Sequence, residues 1–252
     1  MVLFSPEDHR VTSGAPSERR TFLDILLSQA DGSYLKNLQD YNRVLRQRNK
    51  LLAMIANAEA NENDLDAWDD AIIKHAFALL QKRQNFLREI SDDLTQTYEQ
   101  ISAGSEPLTA KYRYSDNQQF DDENRFLATL KKLRKKEIIL KRTLVGPHRD
   151  DVIFRLAQRD VRKHASRGEQ KSVLLALKIV EYEYLRKKKN KAPILLLDDL
   201  HSELDAQRTN QILNALTTLG QSFITSVEKV ENCPEGSVSF EVSAGHIQEV
   251  QT

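Results

Sequence analysis

The sequence predicts an α/β protein with a helical region that contains a short antiparallel coiled-coil-like arm. The run PILLLDD at 193–199 has the composition of a strand buried on both faces of a parallel sheet, and SFITS at 222–226 reads as another strand. Two long apolar stripes, at 34–55 and 65–101, repeat about every 3.5 residues and predict the two helices of the arm. The same stripes also fit the core of an ordinary helical bundle.

Composition excludes several classes of protein. The 252 residues, of which 40% are hydrophobic and 29% charged, fit a globular helix-rich protein of one large or two modest domains. The 37 basic and 37 acidic side chains cancel, so any argument for a nucleic-acid partner must rest on local patches. A single cysteine, Cys233, excludes an internal disulfide framework and fits a reducing cytoplasm. No run reaches the roughly 20 apolar residues of a membrane helix, and the N-terminus lacks a secretion signal.

The remaining elements follow from local patterns. Pro16 with Glu18 marks a helix start, and Asp31-Gly32 marks its end. The stripe at 34–55 is interrupted at Arg48. The further predicted elements are a strand end at 2–7, a strand at 108–114, a charged helix at 120–140, a strand at 151–156, a helix at 168–186, a helix carrying Ile212 to Leu219, and a hairpin at 237–250.

Two aspartates follow the apolar run. A strand that ends in Asp can place the carboxylate at a sheet edge beside bound phosphates, where Mg²⁺ takes one or two carboxylates together with phosphate and water oxygens. Asp198 suits that position, and Asp199 could orient or deprotonate an attacking water. Strand-end aspartates are also common without any such role.

The turn Ser202, Glu203, Leu204, Asp205 is the next candidate. A second acidic turn directly after the strand could contact a partner subunit. The alternative is that Asp205 simply caps the helix that starts near Ala206.

The third candidate opens the helix at 168–186. Ser166, Gly168 and Gln170 lie at its entrance, where free backbone N–H groups and the positive end of the helix dipole favour an anion. Gly168 permits close approach of a phosphate, and Ser166 offers a hydroxyl. A plain helix cap is again the alternative.

In combination these motifs carry a resemblance. Their order, S-x-G-x-Q opening a helix, a strand ending in DD, then S-x-L-D, is similar to that of the ATP-binding cassette (ABC) superfamily. Six segments resemble the bacterial RecF family and together cover essentially the whole chain: VLFSPED, SGAPSERRTFLD, YNRVLRQRN, TLVGPHRDD, SRGEQKSVLLALKI and ILLLDDLHSELD.

The resemblance implies an ABC-type head related to the SMC and Rad50 heads, with an inserted helical lobe. It divides the chain into residues 1–14, the end of an N-terminal ATPase lobe, residues 15–140, the helical lobe, and residues 141–252, the C-terminal part of the head. A head of the structural-maintenance kind is a weaker reading, because the arm here is only one helical hairpin long.

The resemblance also implies roles for the candidate residues. Ser166, Gly168 and Gln170 would belong to the signature motif that touches the γ-phosphate of ATP on the other subunit. Asp198 looks like the magnesium-linked Walker B aspartate, and Asp199 stands where related ATPases have a catalytic Glu. Residues 202–205 look like the D-loop at the dimer interface.

As a biological role, the resemblance implies a bacterial cytoplasmic, nucleoid-associated DNA repair protein with ATP and Mg²⁺ as cofactors and weak DNA-dependent ATPase activity. The family forms ATP-dependent homodimers, binds DNA at single-strand/double-strand junctions, works with RecO and RecR in gap repair and the SOS response, and helps to load RecA. Two positions depart from the family: His201 replaces an apolar residue, and FITSVE has small hydroxyl residues where many ABC proteins have a switch histidine.

A phosphate-gripping loop is missing from the sequence. Such a loop reads G-x-x-x-x-G-K-[ST], and none of the eight glycines here is followed by lysine. In the family the loop precedes the segment that matches VLFSPED, so we expect an N-terminally truncated copy that does not hydrolyse ATP alone. The alternative is a non-catalytic module that binds DNA or a repair partner without nucleotide.

The DNA-contacting residues remain unknown from the sequence. Three basic runs are candidates, and each also fits a solvated helix face: Arg43, Arg46, Arg48 and Lys50, then Lys131 to Lys136, then Lys187 to Lys191. For Arg149 the prediction is instead a structural ion pair with a nearby carboxylate.

Overall fold

The computed structural model describes residues 1–102, 106–115, 122–199, 220–227 and 236–250. Its helices are α1 (Arg10–Ser13), α2 (Pro16–Ala30), α3 (Gly32–Ala56), α4 (Leu65–Glu89), α5 (Ser91–Ser102), α6 (Glu123–Leu140), α7 (Val161–His164) and α8 (Arg167–Lys189). Its strands are β1 (Val2–Phe4), β2 (Leu108–Arg113), β3 (Asp151–Leu156), β4 (Arg159–Asp160), β5 (Leu195–Leu197), β6 (Ser222–Ile224), β7 (Ser239–Ser243) and β8 (His246–Val250).

The predicted arm is a helical hairpin made by α3 and α4. Its helices are antiparallel, because Asp31 at the start of α3 pairs with Lys82 near the end of α4, whereas Arg48 late in α3 pairs with Asp69 early in α4. Asp31 also caps α3 by accepting a hydrogen bond from the Ser33 amide at 2.8 Å.

The second predicted stripe is divided between two helices. A turn at Ile90 separates α4 from α5, although the apolar spacing continues across it. The sequence Ser91-Asp92-Asp93 places two acidic residues in the first turn of α5, which suits a helix N-terminus. Because α5 then lies against α8 and β2, one helical stripe in the sequence serves two packing partners.

The described strands form three sheets. β1, β5 and β6 make a parallel sheet in the order β1-β5-β6, with Val2 opposite Leu195 and Leu195 opposite Ser222. β2, β3 and β4 form an antiparallel sheet, and β7 with β8 forms the predicted hairpin.

The helix α8 covers one face of the parallel sheet. Val2, Leu195 and Leu197 are buried, and Lys178 of α8 donates a hydrogen bond to the Leu3 carbonyl at 2.6 Å. The opposite face is open: Phe223 is 53% exposed. One continuous apolar core connects this sheet with the helical lobe.

Candidate functional site: a strand-end carboxylate and a capped helix entrance

The parallel sheet presents Asp198 at the carboxyl end of β5. The Asp198 amide donates to the Phe4 carbonyl of β1 at 2.8 Å, and the Thr225 amide after β6 donates to the Leu197 carbonyl at 2.9 Å. These two hydrogen bonds hold the backbone on both sides of β5 in place. The exposed Asp198 side chain therefore projects from a fixed backbone at the sheet edge.

Thr225 links the two aspartates. Its hydroxyl donates to Asp198 Oδ1 at 2.6 Å and accepts from the Asp199 amide at 3.0 Å. Asp199 has a left-handed backbone with φ of 51°. A non-glycine residue there is uncommon and is enriched at functional sites. Sequence reasoning noted a hydroxyl in FITSVE but did not connect it with Asp198.

This arrangement fits a magnesium ligand. One Asp198 oxygen is held by Thr225, and the other accepts no hydrogen bond from a described residue. Mg²⁺ sites beside phosphates use one or two carboxylates and keep several waters. Within the described ranges, no group of three or more His, Cys, Asp or Glu side chains could hold a metal ion.

The other candidate group lies at the N-terminus of α8. Ser166 is the N-cap, and its hydroxyl accepts from the Glu169 amide at 3.2 Å while the Glu169 carboxylate accepts from the Ser166 amide at 2.6 Å. This is a capping box. The hydrogen bond from Ser166 holds the pKa of Glu169 below its usual value. A carboxylate therefore already occupies an anion position at this helix entrance.

Glu169 is a residue that sequence reasoning missed. The signal was present as S-x-x-E at 166–169, which is the sequence signature of a capping box. Arg159 of β4 supports it through contacts of 3.3 Å to Glu169 and 2.6 Å to Glu106.

The other predicted members of this group are placed differently. Gly168 lies in the first turn of α8 with helical backbone. The Gln170 side-chain amide turns back and donates to the carbonyls of Val161 and Ala165, both at 3.4 Å, in the segment directly before the helix. No hydrogen bond or ion pair between described residues joins this group to Asp198.

Several predicted residues cannot be placed. Ser202, Glu203, Leu204 and Asp205 lie outside the described residues, as do His201, Cys233 and the predicted helix at 212–219.

Comparisons with known proteins agree on one family. No family model matches the chain. A protein described as DNA replication and repair protein RecF, from Agathobacter rectalis, is 38% identical over 252 residues, which cover 98% of this chain and 68% of the relative. The chain belongs to the RecF family. It spans about two thirds of the length of this relative.

Solved RecF structures confirm the predicted fold class. The recombination mediator protein RecF with ATPrS in the RecFOR pathway superposes with a TM-score of 0.87 at 32% identity, covering 99% of this chain and 67% of that one. RecF with ATP gives the same TM-score at 31% identity and the same coverage. The fold is thus an α/β ABC-type ATPase head with a helical lobe, and the chain has the DNA replication and repair character of its family.

Two predictions about basic residues were wrong. Arg48 is fully buried and bound to Asp69 and Glu137, so it is not available to DNA. Arg149 is exposed and forms no ion pair with a described residue, whereas its neighbour Asp151 pairs with Arg19 at 2.8 Å. Across the described ranges, no helix has the length and apolar character needed to cross a membrane.

Proposed function

We propose that this chain supplies the magnesium-binding and signature parts of a RecF-type ATPase that binds DNA in an ATP-dependent way. The observation that carries the proposal is the Asp198–Thr225–Asp199 arrangement at the end of β5. It holds one carboxylate rigidly at a sheet edge and leaves one of its oxygens without a described donor. RecF structures with ATP, at 31% identity, support a nucleotide as the ligand.

The proposed roles follow the position of each side chain. Asp198 would hold Mg²⁺, which supplies charge neutralisation for ATP phosphates when it is bound. Asp199 would orient the attacking water. Ser166 and Gly168 would receive the γ-phosphate of ATP bound on a second subunit, with Gln170 supporting the turn. Residues 202–205 would lie at that dimer interface.

In this proposal the helix entrance has to exchange one anion for another. The Glu169 carboxylate occupies the Ser166 amide, so a γ-phosphate would displace it. Backbone N–H groups at a helix N-terminus serve either anion, and phosphate brings more charge to the helix dipole. ATP binding would therefore be coupled to rearrangement of the Ser166–Glu169 box.

The cellular role proposed is that of RecF in gap repair. DNA at single-strand/double-strand junctions is the proposed substrate, RecO and RecR the partners, and RecA the protein whose loading is assisted, in the bacterial cytoplasm and the SOS response. The RecFOR pathway named for the similar solved structure supports the choice of partners.

A second function is favoured by one specific observation. None of the eight glycines in the 252 residues is followed by lysine, so the chain contains no Walker-type phosphate loop. On that reading the chain is a non-catalytic module that binds DNA or a repair partner without nucleotide.

The test uses a chimera in which the region of the Agathobacter rectalis RecF preceding the matched segment is fused before Val2. We expect the chimera to bind and slowly hydrolyse ATP in the presence of Mg²⁺ and DNA. Asp198→Asn removes the metal-binding charge and should lower the hydrolysis rate by at least about a hundredfold, a loss of roughly 3 kcal/mol of transition-state stabilisation.

Asp70→Asn is the matched control, because Asp70 is an exposed carboxylate on α4 and makes the same change in charge. Equal hydrolysis by the Asp198 variant and this control would refute the role given to Asp198. Nucleotide-independent DNA or partner binding by the unfused chain, with no hydrolysis by the chimera, would establish the second function instead.

A further inference from the structure

We propose that an exposed lysine face on α6 binds the phosphate backbone of DNA. The face consists of Lys131, Lys132, Lys135 and Lys136, and we call it the α6 lysine face. The proposal rests on the proposed function for the identity of the ligand, and it assigns the DNA contact to one element of the helical lobe.

Helical geometry brings the four lysines to one side. Lys131 and Lys135 are four residues apart, as are Lys132 and Lys136, so both pairs are neighbours on the helix surface. All four are exposed, while Phe126 and Leu130 face the core from the opposite side of α6.

No described residue forms an ion pair with any of the four lysines, although α6 lies against the arm. Of the four, Lys131 lies near a carboxylate of the arm, because the pKa of Asp66 is lowered by Arg134 and, more weakly, by the charge of Lys131. Two carboxylates of the arm are already paired with another residue of α6. Arg134 binds Asp66 at 2.5 Å and Asp69 at 2.6 Å. Four positive charges are therefore left facing solvent.

The other two basic runs are partly neutralised, because two of the four cations in each run are buried or ion-paired, while Arg46 with Lys50 and Lys189 with Lys191 stay exposed. In the first, Arg48 is buried and Arg43 pairs with Asp40 at 2.8 Å. In the third, Lys187 pairs with Asp93 at 2.9 Å and Lys188 with Glu89 at 2.8 Å. An ion-paired cation releases fewer counterions on meeting a phosphate, so these runs are weaker binding surfaces.

Helix stability gives an independent reason to expect an anionic ligand. Like charges four residues apart repel and destabilise a helix, and the α6 lysine face contains two such pairs. A bound polyanion would remove that repulsion. The charge density also fits duplex DNA, because four lysines occupy about 7.5 Å of helix axis and a duplex presents about four phosphates over the same length.

The test compares two variants of the chain with the same change in charge. The first carries Lys131→Gln, Lys132→Gln, Lys135→Gln and Lys136→Gln, and the control carries Lys187→Gln, Lys188→Gln, Lys189→Gln and Lys191→Gln. Binding to a fluorescein-labelled DNA duplex is measured by anisotropy across a salt series, and the melting temperature of each variant is recorded.

We expect the α6 variant to bind the duplex about tenfold or more weakly than the control at ~0.15 M salt. The slope of log K against log salt should become shallower by up to about 3.6, from four contacts at about 0.9 each. Its melting temperature should not fall, because the repulsive pairs have been removed. Duplex binding should also raise the melting temperature of the unchanged chain more than that of the α6 variant.

Equal affinities and equal salt slopes for the two variants, with the unchanged chain binding DNA, would overturn the α6 assignment and leave the proposed function intact. The assignment also fails if the control loses as much affinity as the α6 variant. Failure of the unchanged chain to bind the duplex at low salt would overturn the α6 assignment, whereas the proposed function would still be decided by ATP hydrolysis in the chimera.

Discussion

Arg48 explains the gap in the apolar stripe of α3. Its guanidinium is fully buried and donates to Asp69 at 2.8 Å, to Glu137 at 2.7 Å and to the Thr143 hydroxyl at 2.7 Å. A buried charge is tolerated when every donor finds a partner. Arg48 therefore joins α3, α4 and α6. The residue that interrupts the apolar stripe of α3 is the one that binds α6 to the arm.

Replacing Arg48 with Met should destabilise the chain by about 3–5 kcal/mol, since Glu137 is left as a buried charge without its ion-pair partner and Asp69 keeps only its contact with Arg134. Urea unfolding monitored by circular dichroism measures the change. Arg43→Met, at an exposed surface pair, should change stability by about 1 kcal/mol or less. A loss for Arg48→Met no larger than that of Arg43→Met would contradict the buried network.

Two buried titratable groups lie close together in the segment that follows α6. Burial lowers the pKa of His148 to about 4, and its ring is held between the Tyr41 hydroxyl at 2.6 Å and the Thr143 carbonyl at 3.2 Å. Burial raises the pKa of Asp150 to about 6, although the Ser115 amide and the Tyr112 hydroxyl both donate to it.

These shifts act on stability in opposite directions. The raised pKa of Asp150 stabilises the folded state fully below pH 3.8, and this contribution is lost as pH rises through about 6. The lowered pKa of His148 gives a contribution that is present above pH 6.5 and lost as pH falls through about 4. Over the pH range in which both groups titrate, their contributions to the free energy of unfolding change in opposite directions and largely offset each other.

Asp150→Asn should expose the contribution of His148. Relative to the unchanged chain, the unfolding free energy of the variant should rise by an additional ~2–3 kcal/mol between pH 4 and pH 6. Urea unfolding at several pH values measures this, with Asp70→Asn as the exposed control. Parallel pH profiles for Asp150→Asn and the unchanged chain would show that Asp150 does not titrate in this range.

At the scale of elements, the entrance of α8 has two separable properties. The Ser166–Glu169 box stabilises the helix, and the same N–H groups are the proposed phosphate site. A helix cap and a nucleotide contact use the same residue types, which is why the sequence alone left both readings open. The two can be distinguished by a residue that caps well but repels phosphate.

Ser166→Asp is that substitution. Asp is as good an N-cap as Ser, so unfolding free energy should change by less than about 0.5 kcal/mol, while Ser166→Ala should cost about 1 kcal/mol. In the chimera, both variants should weaken ATP-dependent dimerisation, measured by analytical ultracentrifugation, and Asp should do so more strongly because its charge opposes the γ-phosphate. Normal dimerisation of the Ser166→Asp chimera would exclude a phosphate contact here.

The division between α4 and α5 shows what apolar spacing omits. Spacing reports which residues are buried, and it continued unbroken from Leu65 to Ile101. It does not report against which partner they are buried. Thr95 of α5 donates to the Leu108 carbonyl of β2 at 2.9 Å, and Lys187 of α8 pairs with Asp93, so α5 belongs to the side of α8 and β2.

At the scale of the whole molecule, the helical lobe and the sheet share one core. Arg83 of α4 links helices of the lobe with the segment after α6: it donates to the Tyr34 hydroxyl, to Asp24 of α2 and to the Pro147 carbonyl, the last at 2.8 Å. The predicted division into lobes at residues 14 and 140 stays a prediction, and the apolar core continues across both positions.

The open face of the parallel sheet is the other property of the whole chain. Leu3, Leu196 and Phe223 lie opposite one another across the three strands, and Leu3 and Phe223 are 43% and 53% exposed. Contiguous exposed apolar surface of this kind marks an interaction surface or an aggregation-prone one. Self-association of the chain through this face therefore has to be controlled in every binding experiment.

The sequence by itself determined the strands, the helical hairpin, the strand-end aspartates and the family, because these depend on local spacing and on motifs that are contiguous in the chain. Only the tertiary structure decided which charges are free. Arg48 and Arg134 bind carboxylates of other elements, Thr225 reaches Asp198 from the neighbouring strand, and the lysines at 131, 132, 135 and 136 form no ion pair with a described residue. A charged side chain finds its partner through space, and the distance along the chain, 21 residues for Arg48 and Asp69, carries no signal of that contact.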